Sequence, residues 1–262
     1  MNTTEEYTRI YKLTKQFLND ILPEQITDVE LNKYLKNTKW FGSINDIYER
    51  MALSLQNYQA MPNIIKFEKN IDLMRKILLN FNPHEVKIRY TYETLYEEFK
   101  KNFQIANPEN KQNSWIKFTK GLITGADFLS QFNDHLQFDK FVSKFTKNDD
   151  LLLELPNMIK DKVHGFGFAL SCDFLKELGY TYYPKPDVHL KDIFFELNLS
   201  KHDNVDNYKK IVEMSKVVGE TPYEIDKVFW LVCSGKYYLH GINTKPRKIE
   251  LINYIKENLG IK

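Results

Sequence analysis

Residues 151–197, LLLELPNMIKDKVHGFGFALSCDFLKELGYTYYPKPDVHLKDIFFEL, are the stretch on which the fold turns. An apolar run ends near Pro156, a tight turn follows at His164-Gly165-Phe166-Gly167, and a second apolar-periodic segment occupies residues 168–178. The spacing predicts a helix, a hairpin and a helix. Nine residues further on, Pro186-Asp187-Val188-His189 places one carboxylate at the opening of another amphipathic run, where an aspartate is a natural N-cap.

Glycine adopts positive φ without a Cβ penalty and lets a partner approach its backbone. A GxG placed just before a helix therefore exposes unpaired N–H groups that can meet an anion. With a phosphate there, such a turn positions a protein on nucleic acid without reading its sequence. The same pattern also serves as a plain helix–helix connection, so the two glycines alone leave both readings open.

The hairpin together with Asp187 resembles the signature of the helix-hairpin-helix (HhH-GPD) DNA glycosylase superfamily. There the hairpin has the form LPGVGxxxA, and a catalytic aspartate in a (V/P)xDxH-like segment follows about twenty residues on. The matching residues are Gly165, Phe166, Gly167, Asp187 and His189, and the close resemblance covers about 45 residues. It implies an all-α protein of two helical subdomains, with the helix-hairpin-helix at residues 151–179 and an inter-subdomain cleft. The implied subdomains are residues 1–61 with 209–262, and residues 62–208. It also implies excision of a damaged base flipped out of double-stranded DNA, with Asp187 as the catalytic carboxylate.

Members that also cleave the strand use a lysine two residues beyond the GxG. Here those positions hold Phe168 and Ala169, which favours hydrolysis without a lyase step. Lys140, Lys160 and Lys162 remain open as unmatched amines, while Lys176 falls seven residues beyond the expected place and reads as a solvent-face lysine. The resemblance further implies a K+ or Na+ ion held by the backbone carbonyls of Asp161, Val163 and Phe166; no other cofactor is expected. His164 stands where the family pattern often has proline, and it, Lys162 and the hairpin backbone are candidate phosphate contacts. Beyond the hairpin, His189 and the basic cluster of Lys245, Arg247 and Lys248, with Lys236 nearby, are further candidates for the DNA backbone, though the cluster reads equally as the solvated start of a terminal helix. For the base pocket the candidates are Trp40, Gln56, Phe168, Cys172 and Trp230, with Phe41, Tyr48, Trp115, Phe229, Tyr237 and Tyr238 as further aromatics.

Working outward, the 262 residues suffice for one large or two modest cores, and 42% hydrophobic with 27% charged content marks a folded chain. No apolar run reaches the length of a membrane span, and the opening residues lack the basic and apolar regions of a secretion leader. The two cysteines form no paired motif, which suits a reducing cytoplasm and argues against a zinc or iron–sulfur centre. A net charge of +2 does not by itself indicate DNA; a local basic patch would be needed. With 18 Phe and 16 Tyr, any one aromatic is weak evidence for base stacking.

Helical periodicity is expected over residues 5–22, 28–35, 62–81, 91–103, 114–121, 123–133, 137–145, 208–218, 222–234 and 246–260. Ser43 with Asp46 forms a partial capping box for a helix through Tyr58, with Trp40 and Phe41 packing inward. Residues 84–90 read as an extended linker or a helix start, and residues 105–113 as the best subdomain boundary. The expected protein is a monomer with no membrane partner and no nucleotide cofactor. Two rival readings keep the fold: a DNA-binding module without catalysis, and a helical protein using the hairpin for protein or RNA contacts.

Overall fold

Side-chain caps fix many helix starts in this chain. Thr27, Ser43, Asn82, Thr91, Asn113, Asp134, Asn148, Asp187, Asp203 and Thr221 each accept a hydrogen bond from an amide of the helix that follows, satisfying a donor that the first turn leaves unpaired. The computed structural model describes residues 3–57 and 61–260. In chain order its helices are α1 (Thr3–Asp20), α2 (Asp28–Leu35), α3 (Ile44–Gln56), α4 (Met61–Ile65), α5 (Ile71–Ile77), α6 (Pro83–Arg89), α7 (Tyr92–Asn102), α8 (Ser114–Leu129), α9 (His135–Ser143), α10 (Asp149–Lys162), α11 (Phe168–Glu177), α12 (Val188–Glu196), α13 (Asn204–Val218), α14 (Pro222–Ser234) and α15 (Lys248–Leu259). The described residues are thus mostly helical, as the periodicity predicts, with one addition. Two-residue strands β1 (Lys236–Tyr237) and β2 (Ile242–Asn243) pair antiparallel, with Tyr237 opposite Ile242.

The chain divides into two units, residues 1–38 with 179–262 and residues 39–178. These boundaries depart from the expected 1–61 with 209–262 and 62–208. The reason is packing: α3 lies against α8 and α11, whereas α12 lies against α13, α14 and α15. Asp187 therefore belongs to the first unit and the hairpin to the second.

In the first unit, α1, α2 and α12–α15 enclose a core that includes Tyr7, Ile10, Ile193, Phe194, Phe229, Val232 and Leu251. Along α14, Ile225, Phe229, Leu231, Val232 and Cys233 are wholly buried. In the second unit the core is aromatic. Phe67, Phe99, Trp115 and Phe118 form one set of ring contacts, and Phe132, Phe138 and Phe141 another.

Several expectations are corrected. The run 62–81 is not one helix: α4 and α5 are separated by Lys66 at φ 51°, and Leu79, Asn80 and Phe81 also have positive φ. The apolar spacing there is real, but it is spread over short pieces that bury Ile65, Phe67, Met74 and Phe81. Residues 84–90 fall mainly in a helix, begun by Pro83 at a position where its missing N–H costs nothing and capped by Asn82. The two helices expected over residues 114–133 are the single α8. Its glycines, Gly121 and Gly125, lie where neighbouring elements come close rather than at a break. The helix expected through Tyr58 ends in the description at Gln56; Tyr58 lies outside the described residues.

Candidate functional site

In the second unit, α10 and α11 pack on each other and are joined by the turn at residues 163–167. α10 continues through Pro156 to Lys162. The turn then closes with the Phe166 N–H donating to the Val163 carbonyl at 3.1 Å, and Gly165 takes φ +87°. A side chain at that position would be strained. The turn is braced from α8: Thr124 Oγ1 accepts the His164 N–H at 2.8 Å. Gly121 lets α8 approach so closely that a Cβ there would stand 2.8 Å from the His164 carbonyl oxygen.

The helix after this turn begins differently from most. Gly167 is the N-cap of α11 and offers no side chain to the first-turn amides, which leaves their donors and the positive end of the helix dipole for another acceptor. A cavity of about 340 Å³ opens here, lined by Leu55, Met61, Lys117, Phe118 and residues 164–167. His164 is exposed, yet desolvation around its ring, together with the charges of Lys120 and Lys117, lowers its pKa from the ordinary value. Two lysines of α8 thus act on the turn from the side. Lys162 is also exposed, at the last position of α10.

In the first unit, Asp187 is the N-cap of α12. Its Oδ1 accepts the N–H groups of His189 at 2.9 Å and Leu190 at 3.2 Å. The approach to it is pinned from α14, where Asp226 Oδ2 accepts the Lys185 N–H at 2.8 Å. With Oδ1 committed, Oδ2 of the half-buried Asp187 has no hydrogen bond among the described residues. Cys233 lies near enough that, after burial, the Asp187 charge is the next cause pushing its thiol pKa up.

Cys233 and His189 line a second cavity, of about 430 Å³, with Lys245, Pro246, Arg247, Lys248, Ile249 and Glu250. The structure thus brings His189 to the basic cluster of Lys245 and Arg247, from which sequence reading kept it apart. His189 Nδ1 is buried without a hydrogen-bond partner among the described residues. The cluster is less basic than its lysines imply. Glu250 receives Lys245 at 3.0 Å and Arg247 at 2.7 Å, a carboxylate three residues past Arg247 that sequence reading passed over. Lys248, the third member of that basic cluster, pairs with Asp192, which in turn accepts from His202 at 2.8 Å.

The base-pocket candidates are divided between the two units. Trp230 belongs to the first unit and the other four to the second. Gln56 is 4% exposed and its Oε1 accepts the Phe67 N–H at 3.0 Å, so it holds backbone rather than facing a ligand. Phe168 and Cys172 are buried, and none of these four lines the cavity at the hairpin. Trp40 departs from the inward packing expected of it: it is 53% exposed, its indole N–H donating to the Glu177 carbonyl at 2.8 Å. Tyr48, Trp115, Phe229 and Tyr237 are core residues. Trp230 packs edge-on to Tyr238, and the two rings flank the Lys227 ammonium. Lys176, expected on the solvent face, is 3% exposed.

Among the described residues no group of three or more His, Cys, Asp or Glu side chains is arranged to hold a metal ion, and no helix is long and apolar enough to cross a membrane. Comparison with protein-family models, with curated proteins and with solved structures finds no match.

Proposed function

We propose that this chain is a DNA N-glycosylase of base excision repair, built on a helix-hairpin-helix, that hydrolyses the glycosidic bond of a damaged base flipped out of duplex DNA. The observation that carries the reading is the state of Asp187: one oxygen anchored by two amides, the other with no hydrogen bond among the described residues, on a segment pinned to a core helix. Breaking the C1′–N bond develops positive charge on the sugar. A fixed, ionised carboxylate stabilises that charge and can accept a proton from the attacking water. An aspartate already ordered by its own helix needs no reorganisation when the charge appears.

Lys117 in the lining of the cavity at the hairpin, with Lys120 close by on α8, supports the DNA part of the reading. An acidic surround would have opposed phosphate. The unfilled donors of α11 would hold phosphate oxygens of the lesion strand, leaving sequence unread, while the chemistry acts on an extruded nucleotide. His189, with Arg247 beside it, would take a further phosphate. The carbonyl set of Asp161, Val163 and Phe166 suits K+ or Na+ in kind: the oxygens are neutral, and the Val163 oxygen, which already accepts one N–H, has a second lone pair. When bound, such an ion supplies positive charge to a nearby phosphate.

Hydrolysis without strand cleavage is the reading favoured at α11, whose first two positions are the buried Phe168 and Ala169. Neither side chain can form a Schiff base. Duplexes carrying 8-oxoguanine, uracil, a thymine mismatch or methylated purines, incubated with the protein and analysed with and without alkali, test the proposal. Strand breaks seen only after alkali are expected for at least one lesion. No product from any of them, with tight duplex binding retained, favours the non-catalytic module. Breaks without alkali, with borohydride trapping, would replace simple hydrolysis by a lysine-dependent lyase.

A further inference from the structure

α8 carries Lys117 and Lys120 three residues apart, on neighbouring positions of its surface. Like charges that close on a helix surface repel, unless something anionic joins them. α8 offers no relief, since its only acidic residue is Asp127 near the far end. The neighbouring α7 manages its own lysines differently, pairing Lys100 with Glu97 and Lys101 with Glu98.

Lys117 is exposed and makes no ion pair among the described residues. It lines the same cavity as His164, Gly165 and Gly167. Lys120 is half-buried, with its ammonium 4.8 Å from the centroid of the Tyr92 ring. That face attracts a cation, and the amine has no carboxylate at ion-pair distance among the described residues, although its charge is one of the lesser causes, after the Tyr92 hydrogen bond, acting on Glu93. The charges of both lysines reach His164 on the hairpin turn. Two cations are therefore held beside the turn, neither with a carboxylate at ion-pair distance among the described residues.

We infer that Lys117 and Lys120 are a second phosphate contact for the DNA strand held at the hairpin, so that the clamp consists of the turn and one face of α8. The inference rests on the DNA reading proposed above and extends it to residues outside the hairpin and its sequence signature. The occupant is a phosphodiester backbone: both groups are point charges on flexible stems, which bind phosphate without reading bases.

The test is anisotropy of a fluorescein-labelled undamaged duplex, titrated with the full chain at several salt concentrations between about 50 and 200 mM. Wild type is compared with Lys117→Ala/Lys120→Ala and with Lys100→Ala/Lys101→Ala, the ion-paired control on α7. Alanine preserves helix propensity, and thermal unfolding checks each fold. The α8 pair is expected to weaken binding and to make the slope of log K against log salt shallower by about 2, roughly 1 per lysine, while the control leaves the slope unchanged. NMR titration of His164 in the free protein should show its pKa moving up in the α8 double variant. Wild type that binds with a salt slope the α8 variant retains overturns this inference and leaves the DNA reading standing. An unmoved His164 pKa overturns it too, by removing the proximity on which it depends. Absence of duplex binding by wild type at the lowest salt overturns both.

Discussion

Gly121→Ala tests the physical basis of the hairpin's position. An added Cβ would stand 2.6 Å from Leu55 Cδ2 and 2.8 Å from the His164 carbonyl oxygen. The Leu55 methyl can rotate aside; the carbonyl belongs to the backbone of a turn that Thr124 and Gly165 hold in place. Overpacking of this kind costs about 1–3 kcal/mol, and alanine returns up to about 1 kcal/mol through its higher helix propensity. Because backbone rather than a side-chain tip must move, the net cost is placed near the upper end, at about 2 kcal/mol. That corresponds to a fall in Tm of roughly 4–8 °C, at about 2–4 °C per kcal/mol for domains of this size. Gly125→Ala, one turn on, is the control. Its Cβ would meet only the Met51 sulfur at 2.7 Å, then Met51 Cγ and a Tyr48 ring atom beyond 3.5 Å, and a methionine chain adapts to such a contact. Differential scanning calorimetry of both variants should show Gly121→Ala destabilised and Gly125→Ala close to wild type. Faster amide exchange over residues 163–167 should accompany only the first. Equal Tm values for the two variants would refute the close approach of α8 to the turn.

Other outcomes follow from single groups. Replacing Gln56 with leucine removes the acceptor of a buried Phe67 N–H and should cost about 1–3 kcal/mol, read as a lower urea midpoint with an unchanged slope. The lowered pKa of His164 means that the unfolded chain binds a proton more readily than the folded one. Its contribution is thus fully present above about 6.5, the ordinary histidine value, and declines as pH falls from there through the folded pKa. A His164→Gln variant should lack that part of the pH dependence in calorimetric scans. Bound phosphate should push the His164 pKa back up, so duplex affinity should rise on acidification from pH 7 to 6 in wild type and not in His164→Gln.

Local chemistry was the legible part of this fold. Capping residues such as Ser43 and Asp187, and the glycines of the hairpin, act over a few residues, and the structure uses them as the spacing predicts. What depends on distant partners was hidden. Gln56 is committed to Phe67 because α3 ends beside the segment that follows α4, a meeting with no local signature. Lys117 and Lys120 sit more than forty residues before the turn they flank, and their spacing on α8 alone did not announce a partner. Lys245 and Arg247 looked like a basic patch until Glu250 was found beneath both charges. The unit boundaries moved for the same reason: residues 105–113 are polar, but helix packing rather than polarity decides where a unit ends.

The most direct measurement of the central claim is single-turnover base release by Asp187→Asn on whichever lesion duplex the wild type processes, with duplex affinity determined alongside. Asparagine caps a helix about as well as aspartate, so the amides of His189 and Leu190 keep an acceptor and only the charge is lost. The account predicts a release rate lower by about 100-fold or more with Kd essentially unchanged. A variant that releases the base at the wild-type rate would contradict it.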